Sequence, residues 1–221
     1  MPVRVEVLPY IDVVAVAAVA LFGLLRVFGA RRKLSVGVAT GLFLAGSVAL
    51  CLFFRDPERV PPVDPGLVVS GADGVVATVD VFQEQAYLNT EVKRITVFLN
   101  LHNVHVNRAP IPGRVTAVDF RQGEHLAAYR VEASELNQCN TFLIEGDATR
   151  CVVRQLVGAV VRRVVGWANV GDTLERGQRL GMMKFGSRLD ILLPAEDVEV
   201  LVKEGDRVLA GVTPIARLLK E

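Results

Sequence analysis

Gly186-Ser187 is the dipeptide in this chain with the most unusual chemistry open to it. A serine hydroxyl can attack the carbonyl of the residue before it and turn that amide into an ester. β-Elimination then cuts the chain and leaves a dehydroalanine, which hydrolyses to an N-terminal pyruvoyl group. Gly186 suits the acyl position, because without a Cβ it tolerates a strained backbone that leaves its carbonyl open to attack. A free serine hydroxyl is a weak nucleophile and needs a base beside it. His105 is the candidate base, and Asp73 could fix its imidazole and stabilise the charged form, the logic of an Asp-His-Ser constellation. Taken singly, Gly-Ser and Asp-Gly are ordinary turn dipeptides, so the assignment depends on the segments around them.

Four segments keep company in order along the chain. They are Phe53-Phe54-Arg55-Asp56-Pro57-Glu58-Arg59, Ser70-Gly71-Ala72-Asp73-Gly74, Leu101-His102-Asn103-Val104-His105-Val106-Asn107-Arg108-Ala109-Pro110, and Gly181-Met182-Met183-Lys184-Phe185-Gly186-Ser187. Together they resemble the phosphatidylserine decarboxylase proenzymes, in particular the short prokaryotic form, from about Cys51 to the C-terminus. The resemblance implies a membrane enzyme that cuts itself between Gly186 and Ser187 into residues 1–186 and 187–221, the two chains staying associated. It places the processing roles on Asp73, His105 and Ser187. It implies a pyruvoyl cofactor, derived from Ser187, whose carbonyl forms a Schiff base with the serine amine of a phospholipid and takes up the electrons released with CO2. The product would be the ethanolamine lipid, with diacyl and archaeal ether lipid cores both open as substrates. His102 is implied as the residue that handles the substrate carboxylate or returns the proton. Asn137 and Asn140 fall where relatives carry a Glu-Arg-Asn-like stretch, from which this chain departs at Gln138-Cys139, and they could line the active-site wall. His125 matches no catalytic motif and receives no role. A homodimer is compatible with the resemblance.

Two other readings of the same residues are weaker. His102 and His105 could form an i, i+3 metal pair on a helix, but Leu101 to Val106 reads as extended chain. There an odd separation points the side chains to opposite faces, and no third ligand is evident, so no metal is expected. Met183-Lys184-Phe185 imitates the modified hairpin of biotin and lipoate carriers, with Lys184 as the acceptor. Lys184 follows Gln178 too closely for that hairpin, and a carrier needs neither His105 nor a lipid anchor.

The elements that must position these residues fall into two parts. Leu34 to Phe54 runs without a charge and is long enough to cross a bilayer as a helix. Val13 to Leu25 is a shorter uncharged run between Asp12 and Arg26, and the basic turn Gly29-Ala30-Arg31-Arg32-Lys33 joins the two. The early Asp12 and the second apolar run argue against a signal peptide. A helical membrane hairpin over residues 1–54 is expected, with a catalytic domain over 55–221. A buried core helix is the alternative for the first run. The basic loop favours a cytoplasmic position for itself, which in a two-span hairpin would put the body outside. A re-entrant hairpin would keep loop and body at the cytoplasmic face, where the implied substrate is made, and that placement is preferred. Arg55 and Arg59 could meet lipid phosphate at the membrane edge.

Beyond Pro61-Pro62 the pattern changes to short β-type runs, such as Gly74 to Val79, Arg94 to Leu99 and Cys151 to Arg154, separated by Gly, Pro and Asp turns. Gly171-Asp172-Thr173-Leu174-Glu175-Arg176-Gly177 is echoed by Gly205-Asp206-Arg207-Val208-Leu209-Ala210-Gly211. A mainly β body follows from this pattern. Its likeness to the barrel-sandwich hybrid (lipoyl/biotinyl-like hammerhead) fold is a resemblance. A formal charge of +1 with no long basic run excludes a general nucleic-acid footprint. The three cysteines show no metal-binding spacing and suit a reducing compartment, without excluding one bridge.

Overall fold

The computed structural model describes residues 2–123, 137–157, 164–184 and 187–219. The chain divides into two compact units, Met1–Pro57 and Glu58–Glu221. The division falls slightly beyond Arg55 because the exit of the hairpin pairs back on its start. Arg4 N–H donates to Phe54 O (3.0 Å) and Asp56 N–H to Pro2 O (2.9 Å), and Val3 bridges Arg55.

The first unit is a pair of helices, α1 (Leu8–Val27) and α2 (Arg32–Phe53). Pro9 stands in the first turn of α1, where a missing N–H costs nothing, and Gly29 ends the helix region with a φ of +77°. Both helices are long and apolar enough to cross a membrane. Val13, Val16, Val19 and Leu24 on α1, and Leu34, Leu44 and Val48 on α2, are exposed. The first apolar run is therefore not a buried core helix. Gly46 lets the helices close on each other, since a Cβ there would lie 2.8 Å from Val14 Cγ1.

The second unit is mainly β, as the pattern predicts. Its strands are β1 (Leu67–Val69), β2 (Gly74–Glu84), β3 (Thr90–Leu99), β4 (Val106–Arg108), β5 (Gly113–Arg121), β6 (Cys139–Glu145) and β7 (Arg150–Val157). They continue with β8 (Val164–Gly166), β9 (Thr173–Leu174), β10 (Arg179–Met183), β11 (Ser187–Pro194), β12 (Val198–Val200), β13 (Arg207–Val208) and β14 (Pro214–Leu218). Among the described residues an eight-stranded curled sheet runs β13-β2-β3-β11-β7-β6-β5-β9. Two small sheets, β1-β14-β12 and β4-β10-β8, accompany it. Alternation along the strands sends Ile95, Val97, Val153, Leu189, Ile191 and Phe142 into one shared core.

The repeat seen in the sequence is a structural repeat. Gly113 at the start of β5 pairs with Leu174 of β9, and Gly74 at the start of β2 pairs with Val208 of β13. Gly177 N–H donates to Ala109 O as Gly211 N–H donates to Ser70 O. Val115 N–H likewise reaches Asp172 O, and Val76 N–H reaches Asp206 O. Gly171, Gly177, Gly205 and Gly211 all hold positive φ, between +73° and +100°, which is why glycine recurs at these places in both copies.

The turn from β2 to β3 is closed by a carboxylate. Glu84 accepts N–H bonds from Ala86, Tyr87 and Leu88 (3.2, 2.9 and 2.8 Å) and an ion pair from Arg154 at 3.1 Å. Burial alone would raise its pKa, but those N–H groups and Arg154 hold it below the usual carboxylate value. A depressed folded pKa adds stability above the unfolded value and loses it as pH falls through the folded one. Glu84→Ala is therefore expected to cost about 1–3 kcal/mol in urea unfolding at neutral pH. The gap from wild type should narrow as pH drops below about 4.5, the group's ordinary value. The three cysteines are free, and burial pushes the thiols of Cys139 and Cys151 up, leaving them inert.

Candidate active site

Ser187 opens β11, the strand that lies between β3 and β7 near the middle of the large sheet. It pairs with Leu99 on one side and Val157 on the other. Its side chain shares the interior face with Leu189 and Ile191, and the residue is 1% exposed. Its Oγ is buried and makes no hydrogen bond among the described residues. A buried, unbonded hydroxyl costs about 1–3 kcal/mol, so its retention asks for a chemical reason. On the reverse face the next residues anchor the strand. Arg188 donates two bonds to Asp190 (2.6 and 2.8 Å), and Thr96 donates a third (2.9 Å). Gly186, the other half of the dipeptide, lies outside the described residues, as does His125.

His105 is brought to the same end of the sheet by two connections. β3 ends at Leu99, the partner of Ser187, and the chain then turns over Asn100–Asn103 to reach His105. From the other side, Met183 N–H at the end of β10 donates to His105 O (3.1 Å), four positions before Ser187 in sequence. The imidazole is fully buried, with Nδ1 3.0 Å from Asn103 O. A carbonyl only accepts, so Nδ1 carries the proton, and in the neutral ring Nε2 is left as the proton acceptor.

Asp73 is not joined to His105 by a hydrogen bond. Its carboxylate is taken by Arg59, which donates to both oxygens (2.7 and 2.8 Å), and by Ala210 N–H (2.8 Å). Arg59 is thus half-buried, with its guanidinium engaged by Asp73. The imidazole is oriented instead by a backbone carbonyl two residues away. Asp73 is near the site by packing: a Cβ on Gly71 would lie 2.7 Å from Leu189 Cδ2, and one on Gly74 would lie 2.0 Å from Phe98 O. The Ser70–Gly74 turn therefore presses on the strands that hold Ser187, which explains both of its glycines.

His102 is exposed in a turn, not in extended chain. Asn103 closes that turn, its Oδ1 accepting Asn100 N–H (2.8 Å) while its own N–H donates to Asn100 O (2.9 Å). An Asx-type closure of this kind leaves no sign in a pattern of apolar alternation. Among the described residues no three His, Cys, Asp or Glu side chains are grouped to hold a metal. Lys184 is buried, and the strands flanking it belong to different sheets, β10 with β4 and β8, β11 with β3 and β7. A carrier lysine needs an exposed hairpin tip, so the geometry opposes that reading.

Polar residues that the sequence does not mark as a group are linked through β7, the strand that pairs with β11. Asn140 Nδ2 donates to Gln155 Oε1 (3.2 Å), and Gln155 Nε2 donates to Asn107 Oδ1 (2.8 Å). Asn140 thus lies in β6 on the interior face, not in a turn. A cavity of about 760 Å³, lined by Ile111, Gly113, Glu145, Thr149, Leu174 and Leu218, lies at the opposite end of the β6–β7 hairpin and contains none of these residues.

A buried serine at the head of β11 and a buried histidine just before β4 form the kind of centre an enzyme builds to activate a hydroxyl. Comparison with known proteins gives the class: the family model for phosphatidylserine decarboxylase matches residues 47–216. The chain belongs to that family of carboxy-lyases. It is 41% identical to a phosphatidylserine decarboxylase proenzyme of Carboxydothermus hydrogenoformans, over 89% of this chain and 91% of that one. A phosphatidylserine decarboxylase proenzyme of Ruegeria pomeroyi is 39% identical over 98% and 95% of the two chains. A putative archaetidylserine decarboxylase proenzyme of Methanosarcina barkeri is 39% identical over 80% and 81%.

Proposed function

We propose that this chain decarboxylates the serine head group of a membrane lipid, phosphatidylserine or its archaeal ether counterpart, after cutting itself between Gly186 and Ser187. The observation that carries the reading is Ser187 itself, buried and unbonded at the head of a central strand, in a chain of this family. His105 Nε2 takes the proton of Ser187 Oγ as that oxygen attacks the carbonyl of residue 186. The acyl group moves from nitrogen to oxygen, and the freed amine keeps a proton. Loss of the Cα proton of residue 187 breaks the Cβ–Oγ bond, leaving a carboxylate on residue 186 and a dehydroalanine. Water then replaces nitrogen, and ammonia leaves. The space of a small side chain at the head of β11 fits the pyruvoyl group so formed, which would supply an electrophilic carbonyl for the head-group amine and a sink for the electrons released with CO2.

Around it the chain's own residues divide the remaining work. His102, exposed at the rim, handles the substrate carboxylate or returns the proton. Asp73, held by Arg59, acts at one remove by fixing the turn that packs on β11. The two apolar helices anchor the protein in the membrane, and the body works at the cytoplasmic face, from which the hairpin enters and leaves.

Intact-mass measurement of the purified wild type tests the reading. Two chains are expected, 1–186 and 187–221, the smaller one blocked and one ammonia lighter than a serine-ended peptide, together with CO2 release from serine-lipid vesicles. A single chain that stays whole on prolonged incubation would overturn it.

A further inference from the structure

The amide chain that runs through β7, next to β11, ends in an unused donor. Asn140, Gln155 and Asn107 come from β6, β7 and β4, and all three are buried, Gln155 and Asn107 completely. Each link fixes the sense of the next. Gln155 Oε1 accepts from Asn140, so Gln155 Nε2 is the donor to Asn107, and Asn107 must present Oδ1 to it. Asn107 Nδ2 is then turned away from the relay, and it has no hydrogen-bond partner among the described residues.

The fold makes room for this relay. A Cβ on Gly181 would lie 2.8 Å from Gln155 Nε2 and 2.4 Å from Val165 O, and one on Gly166 would lie 2.8 Å from Asn140 Nδ2. Two strands of the small sheet thus give up side chains where the amides run. A buried donor without an acceptor is costly to keep, and leucine of similar size would avoid that cost. The position of the donor says what it waits for. Asn107 stands two residues beyond His105, in the middle of the short strand that starts directly after that histidine. Gln155 pairs with Leu189, two residues along β7 from Val157, the partner of Ser187.

We infer that Asn107 is a further catalytic residue of this site, its Nδ2–H donating to an anionic oxygen of the reacting group, with Gln155 and Asn140 as the positioning residues that aim it. The inference rests on the proposed function. Two oxygens share the chemistry: the oxyanion formed when Ser187 attacks the preceding carbonyl, and the carboxylate of the substrate's serine head group. A preorganised donor of this kind is worth about 100- to 1000-fold in rate.

Gln155→Glu separates a ligand role from a structural one. The substituted side chain has no N–H, so Asn107 turns its amide to donate to the new carboxylate and presents Oδ1 where Nδ2 was. Every hydrogen bond of the relay survives, but the donor facing the site is lost. Asn107→Leu, which removes the donor without a new charge, is the second variant, and thermal midpoints confirm that each is folded. Scission slowed about 100-fold or more in both variants assigns the donor to the oxyanion. Normal scission with a raised KM or a lowered kcat in the cut enzyme assigns it to the substrate carboxylate. Folded variants that cut and decarboxylate at wild-type rates overturn the role of Asn107 while leaving the proposed function intact. Failure of the wild type to cut at all would instead remove the reading on which the inference rests.

Discussion

Ser187→Ala is expected to leave the chain whole and abolish decarboxylation, while the protein folds at least as well as an uncut chain that keeps the serine. Intact mass reads the first effect and vesicle CO2 release the second. The stability part follows from the burial of Oγ, which makes no hydrogen bond in the folded chain and would be solvated in the unfolded one. Removing it takes away a desolvation cost of about 1–3 kcal/mol. The proper reference is a His105→Ala chain, which retains Ser187 and is expected to cut at least about 100-fold more slowly for want of its base. A Ser187→Ala protein less stable than this reference by more than about 1 kcal/mol would mean that the hydroxyl is a structural group and not a reserved nucleophile.

Arg59→Met is expected to have the largest effect on stability, about 3–5 kcal/mol, because it strands the buried carboxylate of Asp73. Asp73→Asn should cost less, since Arg59 still donates to Ala210 O (3.1 Å) and no buried anion is left. The double variant Arg59→Met, Asp73→Leu removes both charges and should recover most of the loss. Scission rates follow the same order if Asp73 acts by holding the Ser70–Gly74 turn against β11. Loss of cutting in Asp73→Asn alone, with Arg59→Met still competent, would restore a direct partnership between Asp73 and His105.

What the sequence could reveal follows from how far apart the partners lie. The helical pair was legible because its signal is local, a charge-free run on either side of a basic turn. The repeat was legible because its glycines are required by positive φ at the same point in each copy. Ser187 and His105 stood out through the motifs that carry them, and both are buried in the fold. The partners of Asp73 and His105 were not. An arginine binds the first and a backbone carbonyl the second, and a carbonyl has no residue identity to read. The amide relay was hidden for another reason. Asn107, Gln155 and Asn140 sit on three strands, and a polar residue in a strand reads as a solvent-facing position until the fold shows its interior face.

The place of the proposed cut within the repeat has a consequence for how a two-chain product can exist. β11 to β14 lie after it, with β11 between β3 and β7, β13 on β2 and β14 between β1 and β12. Two non-covalent chains ordinarily face a concentration problem, since their stability depends on how much of each is present. Here docking would be completed while the chain is still one molecule, so no second-order encounter is needed. The internal symmetry makes that order of events matter further. A separate fragment carrying β13 and β14 would meet two similar edges, the start of β2 and the start of β5, and would have to choose between them. Folding before cutting removes the choice, and a protein unfolded after cutting has lost the tether that made it.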